Sequence, residues 1–81
     1  MRAVGEPVTV EWRGGVPCAL RWRTRRYPIR AVLDTWRAAG RWWQGAPPRD
    51  YWLFEASGLT AEVYRVRAQG GEVWMLSRVG D

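Results

Sequence analysis

Histidine, lysine and asparagine are absent from this 81-residue chain, and cysteine occurs once, at Cys18. One cysteine excludes a disulfide within the chain, and the lack of histidine excludes a Cys/His zinc site. Every catalytic scheme built on an imidazole or a Cys–His pair is excluded as well. No apolar run approaches the roughly 18 residues of a membrane span, and no charged n-region with an apolar h-region marks a signal peptide. Asp34, Asp50, Glu55 and Glu62 are the candidates left for carboxylate chemistry, and none lies in a metal-binding spacing. These absences lead us to expect a cytoplasmic, non-enzymatic protein with no catalytic residue, no metal and no cofactor, held together by packing.

Aromatics are abundant. Seven Trp, three Tyr and one Phe are too many for a disordered chain. The length fits a single core, so residues 1–81 read as one domain. All 13 basic residues are Arg, against 8 acids, for a net charge of +5. Nine of the arginines fall in residues 1–41 with Glu6, Glu11 and Asp34, a balance of +6. Residues 42–81 carry four arginines and five acids, a balance of −1. That asymmetry points to an anionic partner, or to a basic half resting on an acidic one.

The periodicity is that of strands. Val8 to Arg13 and Cys18 to Arg23 alternate apolar and polar around Gly14-Gly15, which predicts a hairpin. Its inner face would carry Val8, Val10, Trp12, Cys18, Leu20 and Trp22. A second turn is expected at Thr24-Arg25. Residues 26–37 fit a long bent strand, but Ile29, Val32, Leu33 and Trp36 also fit a helical stripe, so a short helix near 30–39 stands as the alternative. Pro28 excludes any helix that begins before it. After the loop at Gln44 to Pro48, three strands follow over 51–56, 61–67 and 73–79. The expected fold is a mainly β antiparallel meander or partly closed barrel, SH3-like or OB-like, of about six strands.

Two groups of residues stand out as a surface for a partner. Arg13, Arg21 and Arg23 alternate away from the hairpin's apolar face, and Arg25 and Arg26 follow. Like charges side by side on a sheet repel unless an anion is near, and guanidinium forks match phosphate oxygens. The alternative is a solvated face, its stems covering apolar surface and its charges paired with Glu11 or a C-terminal acid. Trp42 and Trp43 are adjacent, so in an extended chain at least one is hard to bury. An exposed Trp stacks unpaired bases, anchors a protein interface, or lies on Arg stems at the core's rim. Arg49-Asp50 reads as a pair that holds the preceding loop.

The order Trp36-Arg37, Gly40, Trp42-Trp43, Arg49-Asp50-Tyr51, Val63-Tyr64-Arg65, Trp74, Leu76, Val79 and Asp81 resembles the C-terminal segment of ImuB-type proteins. Those are catalytically inactive relatives of Y-family DNA polymerases in bacterial damage-induced mutagenesis. Over residues 18–81 the chain also resembles small stand-alone proteins of unknown function from actinobacteria and the Deinococcus–Thermus group. The resemblance implies an accessory in DNA repair or translesion synthesis. It carries no polymerase activity, because palm and fingers are missing. The expected role is contact with single-stranded or damaged DNA through Arg13, Arg21, Arg23, Arg25, Arg26, Trp42 and Trp43. The alternative is an adaptor that grips a repair protein; a homo-oligomer is compatible with either, and no membrane partner is expected.

Overall fold

The computed structural model of the chain describes residues 1–40, 42–68 and 70–80, with Trp42 and Ala68 described by their backbone alone. The strands are β1 (Arg2–Pro7), β2 (Thr9–Arg13), β3 (Val16–Trp22), β4 (Arg25–Ala38), β5 (Arg49–Ala56), β6 (Leu59–Ala68) and β7 (Gly71–Gly80). One 3-10 turn, Trp42–Gln44, lies between β4 and β5. All neighbours are antiparallel, in the order β1-β7-β6-β5-β4-β3-β2. β1 and β2 stand at opposite ends of that order, yet only Val8 separates them in the chain. The Val8 amide donates to the Trp74 carbonyl at 3.1 Å, which brings the two ends together. The sheet is therefore curled into a half-barrel.

The expected β fold is present with one strand more than the periodicity predicts. β1 escapes notice because Gly5 and Pro7 are poor strand formers. Both are accommodated where they sit. β1 is an edge strand, and its register shifts between Ala3 and Glu6, around a Gly5 with φ +68°. The β2–β3 turn matches expectation: Gly14 and Gly15 both have positive φ, as a tight turn between twisted strands requires.

Inside the curl, Val10, Leu20 and Trp22 from β2 and β3 meet Phe54, Ala61, Val63, Leu76 and Val79 from β5, β6 and β7. Leu20, Phe54, Val63 and Leu76 are fully enclosed. Of the expected inner face, Val10, Leu20 and Trp22 are core and Val8 packs against it. Cys18 is half-buried, because it is the extra residue where the β2–β3 register shifts. Trp12 keeps the facing of Val10 but is 42% exposed. It lies on Trp52 and Trp74 at the open mouth of the half-barrel and not in the closed core.

Residues 30–39 hold no helix, and no α-helix occurs among the described residues. β4 runs through the segment as one strand with two bulges. Ile29 pairs with Ala56 and Ala31 with Glu55; Val32 pairs with Phe54 and Asp34 with Leu53. Each bulge adds one residue, so the residues opposite the core side of β5 are Ile29, Val32 and Thr35. That spacing of three imitates a helical stripe. The bulges also bend β4, so its first residues pair with β3 and the rest with β5. No helix among the described residues is long and apolar enough to cross a membrane.

Candidate functional site

The β3–β4 turn gathers the densest charge. Trp22 pairs with Arg25, so the two turn residues are Arg23 and Thr24, one earlier than expected. Arg23 takes φ +59°, uncommon for a residue with a side chain. Its guanidinium lies 4.6 Å from the Trp22 ring centroid and grips Glu6 of β1, Nε to Oε1 at 3.0 Å and Nη2 to Oε2 at 2.8 Å. The Trp22 indole also donates to Glu6 Oε1, at 3.1 Å. Arg23 is thus a structural clamp as well as a surface charge, in contrast to the free ladder member read from alternation.

Arg21 and Arg26 face each other across β3 and β4, and both donate to Glu11 of β2. The repulsion expected along the ladder is relieved by that carboxylate. Arg13 does not join them: it sits at the far end of the hairpin opposite Val16. Arg2, which sequence reasoning passed over, does join. With Trp22, Arg23, Thr24, Arg25 and Tyr27 it lines a recess of about 280 Å³. A neighbouring recess of about 220 Å³ is lined by Arg21, Arg23, Thr24, Arg25 and Arg26. Five guanidiniums thus gather around two carboxylates: Arg23 pairs with Glu6, Arg21 and Arg26 pair with Glu11, and Arg2 and Arg25 form no ion pair among the described residues. The Arg23 fork, then the Trp22 indole, holds the Glu6 carboxyl below its usual range; Arg21, then Arg26, does the same for Glu11. Both carboxylates stay ionised, and the surplus charge remains positive.

A second cluster lies on the concave face near the mouth. Register brings Arg37, Asp50, Arg65 and Trp74 into one row across β4, β5, β6 and β7. Asp50 accepts from Arg37 Nε at 2.9 Å and from Arg65 Nη2 at 2.8 Å. Arg65, flanked also by Glu72 at 3.7 Å, lies over the rings of Trp52 and Trp74. Its Nε is buried and has no hydrogen-bond partner among the described residues. Trp52 and Trp74 are in contact at 5.1 Å between centroids. The Arg49-Asp50 pairing read from the sequence is not formed. Neighbours on a strand point to opposite faces, and Arg49 lies over the Tyr64 ring at 4.4 Å on the convex side. That ring ends a convex row in which Trp36 stacks on Tyr51 at 5.1 Å and Tyr51 meets Tyr64 at 5.4 Å. The two rows could have been found by counting alternation back from the core residues Phe54 and Val63.

Trp43 lies in the 3-10 turn and is 66% exposed. The Trp42 side chain lies outside the described residues. Among the described residues no three cysteine or carboxylate side chains come together to hold a metal ion. The arginine end can donate several planar forks to an anion. The concave cluster has its charges largely matched.

The family model for a domain of unknown function (DUF6504) matches residues 1–79, so the chain belongs to that family. No curated protein matches the chain. No solved structure matches it either.

Proposed function

We propose that this member of the DUF6504 family is a non-enzymatic cytoplasmic module that contacts DNA, single-stranded or damaged, in repair or translesion synthesis. One observation carries the DNA contact: among the described residues Arg2 and Arg25 form no ion pair, and they stand beside Arg21, Arg23 and Arg26. Surplus guanidiniums on one end of a small domain suit a phosphate backbone, which they bind by forked, charge-assisted hydrogen bonds. The repair context rests on the resemblance of Trp36-Arg37, Arg49-Asp50-Tyr51 and Val63-Tyr64-Arg65 to the C-terminal segment of ImuB-type proteins. Arg13, at the far end of the hairpin, is left out of the contact surface, and Arg2 enters it.

Fluorescence anisotropy with a labelled single-stranded oligonucleotide tests this reading. Affinity should fall steeply and log-linearly as salt rises from roughly 50 to 200 mM. The Arg2→Ala/Arg25→Ala double variant should stay folded, with a salt slope lower by about 1.4, at about 0.7 per phosphate contact on a single strand. No binding at roughly 50 mM salt, where the electrostatic term is strong, sinks the proposal. A second reading, an adaptor for a repair protein, is favoured by the exposure of Trp43, since Trp is enriched at interface centres. A nuclease-resistant partner lost from the Trp43→Ala variant in a pull-down is its signature.

A further inference from the structure

We infer that a second copy of this chain pairs with it along the open edge of β4, antiparallel about a two-fold axis at Val32, with Arg30 of each copy facing Asp34 of the other. Over residues 29–38 β4 pairs with β5 alone, because β3 leaves it after Pro28. One side of that stretch therefore carries backbone donors and acceptors with no strand beside them. Residues 32–37 are exposed without interruption, and Val32, Leu33 and Trp36 are 42%, 51% and 38% accessible. Apolar side chains along an unpaired edge are what strand addition covers.

The charges choose both the occupant and the register. Arg30 forms no ion pair among the described residues, and Asp34 accepts only from the Thr35 amide, at 2.8 Å. They lie four residues apart. Centring an antiparallel pair on Val32 puts Ala31 opposite Leu33 and Arg30 opposite Asp34, twice over by symmetry. Both belong to the convex side: Arg30 and Ala31 together oppose Glu55, and Leu33 and Asp34 together oppose Leu53. Centring on Asp34 would set that carboxylate against its own copy, which is repulsive, and centring between Leu33 and Asp34 would set Arg30 opposite Arg37, which lies on the other face of the sheet. A register matching Asp34 with Arg37 is disfavoured because Arg37 faces the concave side and is held by Asp50. A two-fold contact uses the same patch on both copies and closes on itself. The bulges at Arg30 and Leu33 confine the pairing to a short stretch, which favours a dimer over a fibre.

Sedimentation equilibrium of the full chain over a concentration series, with near-ultraviolet circular dichroism as the check on folding, tests the arrangement. The wild type should dimerise reversibly. Arg30→Asp and Asp34→Arg should each raise the dimer dissociation constant about tenfold, since each turns two attractions into two repulsions. The double swap, Arg30→Asp/Asp34→Arg, should return it to within about threefold of wild type, because the opposite charges then face each other again. A wild type that is monomeric throughout overturns the inference. So does a dimer that ignores the single changes or is not rescued by the double one, which would place the contact elsewhere.

Discussion

Trp22 and Glu6 join parts of the fold that lie far apart across the sheet. The indole Nε1–H of Trp22, on β3, donates to Glu6 Oε1, on β1, at 3.1 Å. β1 and β3 are not neighbours in the sheet, so this part-buried bond and the exposed Arg23 clamp on the same carboxylate tie the curl together at its arginine end. Trp22 is 6% exposed, and its N–H has little water to fall back on. Trp22→Phe keeps an aromatic ring but removes this donor and part of the ring volume. It should cost about 1–3 kcal/mol in a urea melt. A midpoint equal to wild type would show that the bond does not hold the curl.

Acid should loosen the fold in a defined direction. Glu6, Glu11 and Asp50 are held below their ordinary values, Asp50 first by Arg65 and then by Arg37. A carboxyl with a lower pKa in the native state adds stability that is complete above its unfolded-state value. That stability is lost as pH falls from the unfolded value, about 4 for Asp and Glu, through the native one. The urea midpoint should therefore hold from neutral pH down to about 5 and then drop below about 4. Glu6→Gln should start lower at neutral pH and show a shallower acid drop. A midpoint that rises on acidification would contradict the assignment.

Core and mouth should respond differently to truncation. Leu20 is fully enclosed, and Leu20→Ala should cost about 2–5 kcal/mol. Trp12 is 42% exposed and contributes mainly its ring contacts with Trp52 and Trp74. Trp12→Ala should cost about 1–2 kcal/mol, close to the worth of such aromatic pairs. It should also change the near-ultraviolet circular dichroism of the indole cluster. Equal losses at the two sites would mean that Trp12 belongs to the closed core.

Gly40 holds the loop between β4 and β5 by its size. A methyl group there would sit 2.6 Å from the Pro47 carbonyl oxygen and 3.0 Å from that of Ala46. Gly40→Ala must push the Ala46–Pro47 backbone away and should cost about 1–3 kcal/mol, the range of overpacking. Gly45, in the same loop, has φ +78° and open space around it. Gly45→Ala should cost about 1 kcal/mol, from backbone strain alone. Thermal melts of the pair decide it, and a tolerated Gly40→Ala would mean that the loop has room to move.

The alternation of side chains by itself determined the β class, the hairpin around Gly14-Gly15, and the inward facing of Val10, Leu20 and Trp22. It did so because the two faces of a strand are set within the strand. The surplus of positive charge in the first half was equally plain from composition. What lay next to what was decided only by the tertiary structure. β1 is recognisable as a strand through its pairing with β7 at the other end of the chain, and Gly5 and Pro7 conceal it locally. Asp50 has Arg49 beside it in sequence, but strand pairing delivers Arg37 and Arg65 to it instead. Arg23 left the ladder because its turn conformation let it reach Glu6 across the curl. The helical look of residues 29–36 came from two bulges, and a bulge exists only relative to the strand it is paired with. Facing is a local property with a period of two, whereas register and bulging arise between strands distant in sequence, so one extra residue on one side of a pair reassigns every contact beyond it.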